Sequence, residues 1–152
     1  MRMSIAWLAL GLAVACAKSS TPGDETASAA GSVSDPSALV GPRWRLVELE
    51  GQASIAGGDA REPHLVFSRD GDVDRVGGAT GCNSMGGKYE TDGEHIRLSE
   101  MISTKMACIE DARMRQEARF LGALQLADRY SISGDTLTLS AAGEVVARFL
   151  RS

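Results

Sequence analysis

The chain has 152 residues, 24% of them charged, with a formal net charge of −4, three cysteines and two histidines. Acidic and basic residues are interspersed, with no basic block and no aromatic–basic interleaving, which argues against a nucleic-acid partner. Taking the chain in order, Met1 to Ala15 reads MRMSIAWLALGLAVA, one positive charge followed by a nearly unbroken apolar run. That is the layout of an export signal, and the run is short for a permanent membrane span. It ends in AVAC, small residues just before Cys16, which is the pattern a lipoprotein signal peptidase accepts. Cys16 is then expected to be the acylated first residue of the mature chain; ordinary cleavage after Ala13-x-Ala15 is the competing reading.

The stretch that follows, AKSSTPGDETASAAGSVSDPSA, has no aromatic residue and almost no large aliphatic one. It cannot bury enough apolar area to offset the entropy of ordering it and reads as a flexible tether. The expected organisation is a signal peptide over 1–15, a lipid-anchored tether over 16–40 and one folded domain over 41–152. Ala17 and Lys18 follow Cys16 where an inner-membrane retention signal would place aspartate. The expected location is therefore the cell envelope, anchored in the outer membrane and facing the periplasm.

Most of the domain reads as short strands. WRLVELE (Trp44 to Glu50) alternates, with Trp44, Leu46 and Glu48 on one face and Arg45, Val47 and Leu49 on the other. HLVFS (His64 to Ser68) runs into Asp70-Gly71, a hairpin signal, and DVDRVGG is the return strand. In the glycine-rich run GATGCNSMGGKY, the glycines suggest a loop that turns sharply, with Asn83 tolerating a left-handed backbone. GKYET and EHIRLS flank Asp92-Gly93 as a second hairpin, and RYSIS, TLTLS and EVVARFL form a closing meander with turns at Gly134-Asp135 and Ala142-Gly143. One segment breaks the pattern. Glu110 to Ala127 has Met114, Ala118, Leu121 and Leu124 at helical spacing, widened by Phe120, and predicts a helix whose apolar stripe covers the sheet. The expected fold is α+β: a small antiparallel β-rich domain, a meander or partly closed barrel, with one helix packed on it.

If Cys16 is acylated, Cys82 and Cys108 remain, in a chain facing an oxidising compartment. An even pair there is most simply a disulfide, which in the loop-entropy model contributes roughly 3–4 kcal/mol. The competitors are weaker. A zinc site from Cys82, Cys108, His64 and His95 lacks the close ligand spacing of structural zinc, and neither histidine lies in a recognisable nucleophile motif.

The runs GCNSMGGKY, ISTKMAC, EARFLGAL, YSISGDTLTL and VARF together resemble the META domain, also called the HslJ-like family. The matching positions are Gly81, Cys82, Asn83, Gly87 and Tyr89 in the first block, and Thr104, Lys105, Met106, Ala107 and Cys108 in the second. Trp44 matches the early tryptophan, and Glu117, Phe120 and Leu124 match the helix. Ser84 to Gly86 depart from the pattern, being smaller here. The resemblance implies an exported β-rich domain, often a lipoprotein, associated with heat or envelope stress and similar in fold to lipoproteins that pilot secretion channels. It implies no catalytic activity and no cofactor.

The remaining motifs add no chemistry. Gly77, Gly78, Gly81, Gly86 and Gly87 lack the strand-loop-helix setting and GK[ST] ending of a phosphate cradle, since Gly87-Lys88 runs into Tyr89. Glu90, Asp92 and Glu94 read as a solvated hairpin face in preference to a calcium site, and Thr104 and Lys105 as strand-edge bonding or a partner-contact patch. No enzyme site is expected. The expected function is stress-associated binding or scaffolding, with the membrane as one partner through the lipid and an envelope protein or apolar ligand as another. The alternatives are a carrier of lipid or apolar small molecules and a secretion-pilot-like lipoprotein.

Overall fold

The computed structural model describes residues 35–55, 61–106 and 110–152. The signal peptide, Cys16, most of the tether and Cys108 lie outside the described residues. The first described element is a helical turn, α1 (Pro36–Leu39), capped by Asp35, whose carboxylate accepts from the Ser37 backbone N–H at 2.8 Å. That bond holds the Asp35 carboxyl below its usual value. Residues 36–40, assigned above to the tether, therefore belong to the folded domain. Leu39 is fully buried and its carbonyl accepts from Trp44 Nε1 at 3.0 Å. A single leucine in an otherwise polar run gave no periodic signal of this.

The strands follow as β1 (Arg43–Leu49), β2 (Gln52–Ala53), β3 (His64–Asp70), β4 (Val73–Ala79), β5 (Ser84–Asp92) and β6 (His95–Ser103). After α2 (Asp111–Leu126) come β7 (Arg129–Ser133), β8 (Thr136–Ala141) and β9 (Glu144–Arg151). The pairings between these strands are antiparallel, in the order β2-β1-β3-β4-β5-β6-β7-β8-β9, and β1 also pairs with β9; Val40 adds a parallel bridge to Phe67. The sheet thus closes on itself as an antiparallel barrel, with β2 as a short spur, and the expected α+β class holds. The expected hairpins form, with turns at Gly71-Asp72, Gly93-Glu94, Gly134-Asp135 and Ala142-Gly143, so that Asp70 and Asp92 are the last paired residues before the first two.

The seam is weakest between β6 and β7, which share the single ladder pair His95↔Arg129. Two flanking bonds support it, Ile96 N–H to Asp128 O at 3.1 Å and Tyr130 N–H to Glu94 O at 2.9 Å. The chain between these two strands contains α2, which buries Phe120, Ala123 and Leu124 in the same core as the strands. The axis of the barrel is filled. Trp44, Tyr89, Tyr130, Phe67, Phe120 and Phe149 are its largest fully buried side chains. Phe67 meets Tyr89 edge-on at 5.0 Å, an arrangement that suits the ring quadrupoles.

Two expectations are corrected here. In β1, Trp44 and Leu46 face inward as expected, but Leu49 joins them while Glu48 does not. A bulge against β9 between Leu46 and Glu48 inserts an extra residue and resets the alternation. In α2 the buried face is Gln116, Phe120, Ala123 and Leu124, so the predicted stripe is turned about the helix axis. Met114 is 42% exposed and Leu121 only partly buried. Gln116 is polar and so is invisible to an apolar count. It earns its buried place by a two-way clamp on the Ile55 backbone, accepting from N–H at 2.6 Å and donating to the carbonyl at 3.2 Å. Arg119 adds bonds to Glu50 and Gln52, both at 2.7 Å, fixing the helix to the β1–β2 hairpin.

Candidate functional site

The residues singled out in the two cysteine blocks converge on one side chain. Asn83 is 4% exposed and uses its amide fully. Its Oδ1 accepts from the Met106 N–H at 2.7 Å and from Thr104 Oγ1 at 2.8 Å. Its Nδ2 donates to Glu117 Oε1 at 2.8 Å and to the Met106 carbonyl at 3.2 Å. Thr104 completes the joint by accepting from the Ser84 N–H through its hydroxyl and donating its own N–H to the Ser84 carbonyl. One amide therefore ties the β4–β5 turn, the strand end after β6 and the helix together. Asn83 does not take the left-handed backbone expected for it, which in this chain falls to Glu50, Glu100 and Ala142 among the non-glycine residues described.

Cys82 lies beside this joint and is disulfide-bonded. Its Sγ sits 3.6 Å from the Met106 carbonyl. A disulfide sulfur carries no proton, so this is a packing contact. Gly81 stands at the turn next to Cys82, while Trp44 and Tyr89 lie in the barrel core, away from any surface. Burial pushes the Tyr89 phenol above its ordinary value, helped by the nearby Asp74 carboxylate. Lys105 and Met106 are exposed. Together with Met114, Ala118 and Leu121 they line a surface groove of about 400 Å³ beside Asn83. Three residues of the helical stripe read from the sequence, Met114, Ala118 and Leu121, thus form a groove wall, while Leu124 lies in the core. Of the acidic hairpin residues, Glu94 pairs with Arg129. Among the described residues no three of His, Cys, Asp and Glu gather at metal-binding distance.

The glycine-rich run turns as expected only at its centre, between Ala79 and Ser84, where Gly81 takes a φ of 112°; the glycines on either side lie in strands. Gly77 and Gly78 lie within β4, Gly86 and Gly87 within β5, and each doublet divides in two. A Cβ on Gly78 would stand 2.0 Å from the His64 carbonyl oxygen, and one on Gly87 would stand 2.8 Å from the Ser99 carbonyl and 2.4 Å from Met101 Sδ. Those two glycines are required by close approach of neighbouring chain. Gly77 and Gly86 are not: the nearest atom to either Cβ would be 3.8 Å away, an ordinary contact. They are direct cross-strand partners, and with Val66 on β3 and Ile102 on β6 they form one row across the outer wall of the barrel. This row floors a trough of about 670 Å³, with Arg75, Lys88 and Glu100 along one side. The sequence offered no signal separating the two kinds of glycine, because the distinction depends on which strand lies opposite.

A family model, the META domain, matches residues 37–152. The chain belongs to the META domain family. Its first matched residue falls in α1, in keeping with the buried Leu39. A protein structure solved by NMR aligns with a TM-score of 0.60 at 18% identity, covering 76% of this chain and 94% of its own. A second NMR structure, of a Burkholderia xenovorans protein, aligns with a TM-score of 0.60 at 23% identity, covering 76% of this chain and 85% of its own. These likenesses concern the fold. No protein of curated function matches the chain.

Proposed function

We propose that this META-domain chain is a non-enzymatic lipoprotein of the cell envelope, acylated at Cys16, that works as a stress-associated binding or scaffolding module. The single observation that carries the non-enzymatic reading is the Asn83 joint: the Asn83 amide is spent on Thr104, Met106 and Glu117. A catalytic site needs a nucleophile or base held toward an open space. Here the amide that the motif supplies has no bonding capacity left for a substrate. The filled barrel axis supports binding at the surface over carriage of an apolar ligand inside. The AVAC sequence and the polar stretch after it support anchoring by lipid in the outer membrane, facing the periplasm. Cys82 is proposed to pair with Cys108, which ties the turn after β4 to the segment leading into α2.

The test is labelling with a fatty-acid analogue in an exporting bacterial host. The full chain should take up label and Cys16→Ser should take up none; equal labelling of the two would overturn the lipoprotein reading. In the same preparation, digestion without reductant should yield the Cys82 and Cys108 peptides linked.

A further inference from the structure

We infer that the outer wall formed by β3, β4, β5 and β6 is a docking face for a second copy of this chain. The inference stands apart from the proposed anchoring and role, since every residue it uses lies in the folded domain. Glycine in the middle of a strand weakens it and often marks a bulge, a bend or a place where a ligand or another backbone comes close. The bulge opposite β5 makes its close approach at Gly87, not at Gly86. Gly77 and Gly86 have room for a side chain and no backbone that needs its absence, so the strands gain nothing from them. Beside them, in the same cross-strand row, Ile102 stands 73% exposed. A hollow and a knob thus share one surface.

That is what a two-fold, self-complementary contact requires. Let the two-fold axis run along the strands above Gly86. Each Gly86 then faces the Gly86 of the other copy, and each Ile102 drops over the other copy's Gly77. The next row supports the same arrangement. It runs Arg75, Lys88 and Ser99, with Glu100 beside Ser99 at the bulge in β6. The same axis carries Arg75 of each copy onto the Glu100 position of the other, pairing opposite charges twice. Within one copy Arg75 is 54% exposed and its link to Asp70 is a loose 3.4 Å, so it is free to turn. Lys88 meets its own counterpart near the axis, and each is neutralised by its Glu100 at 2.7 Å. An unrelated partner would explain the hollow. It would not explain why the knob and both charge signs sit on the same face in two-fold register.

The experiment is photo-crosslinking of the full chain in cells, with a benzophenone amino acid in place of Ser99 at the rim of this face. The expected result is an adduct of twice the chain mass, joined to a peptide of the second copy that includes Arg75 and Gly77. Ile102→Asp and Gly86→Val should each lower its yield at least tenfold, and Gly86→Val should unfold no earlier than the parent. An adduct to a different protein alone, no adduct of doubled mass, or a doubled-mass adduct whose yield neither substitution changes would each overturn the inference. Loss of labelling at Cys16 would leave this result readable.

Discussion

Gly78 and Gly87 differ from Gly77 and Gly86 by one position in the sequence, yet they answer to different demands. The first pair lies under neighbouring backbone, where a methyl group would stand 2.0 Å and 2.8 Å from carbonyl oxygens. The second pair lies under open space on the outer wall. One pair belongs to the fold and the other to the surface. The lesson is that a glycine-rich stretch has no single meaning; the strand opposite each glycine decides what its missing side chain is for.

The comparison can be broken by substitution. Gly78→Ala should be the most damaging change, costing about 3 kcal/mol or more, because the clash is with backbone and the φ of +156° is one that side chains rarely adopt. Urea unfolding of the full chain measures it. Asn83→Ala follows, at about 2–4 kcal/mol, since it leaves Met106 N–H and Glu117 Oε1 without their partner in a shielded joint. Gly87→Ala should cost about 1–3 kcal/mol, as Met101 can shift but the Ser99 carbonyl cannot move far.

A smaller effect of opposite sign is expected at Tyr89. Its hydroxyl is buried with no hydrogen-bond partner among the described residues, so Tyr89→Phe should stabilise by about 1 kcal/mol. Burial raises the phenol above its ordinary value of 10.0, meaning the folded state holds the neutral form. Stability from this source is complete below pH 10.0 and is lost as pH rises through the folded-state value. In Tyr89→Phe, alkaline unfolding followed by phenolate absorbance should shift to higher pH.

Much of the fold was legible because its signals are local. Asp70-Gly71, Asp92-Gly93 and Gly134-Asp135 mark their hairpins by turn chemistry alone, and the helix is bounded to within a residue by its length and spacing. The inward face of α2 was legible only in part, through Phe120 and Leu124 but not Gln116 and Ala123. The Gln116 clamp and the Arg119 bonds depend on a hairpin more than sixty positions away in sequence. The β1 bulge was hidden too, since it is set by the register with β9 at the far end of the chain. At the candidate site, the motif residues could be named from sequence, but not their division into joint, core and exposed rim. Asn83 as a hub requires Thr104, Met106 and Glu117 to arrive together, which only the closed barrel brings about.

The most direct test of the central claim is the double replacement Gly77→Val with Gly86→Val in the full chain, read by urea unfolding and by the Ser99 crosslink together. Valine suits a strand, and the two side chains would pair directly across β4 and β5. The predicted result is a domain at least as stable as the parent that has lost the doubled-mass adduct. A loss of several kcal/mol with the adduct intact would contradict the account, placing these glycines with the fold after all.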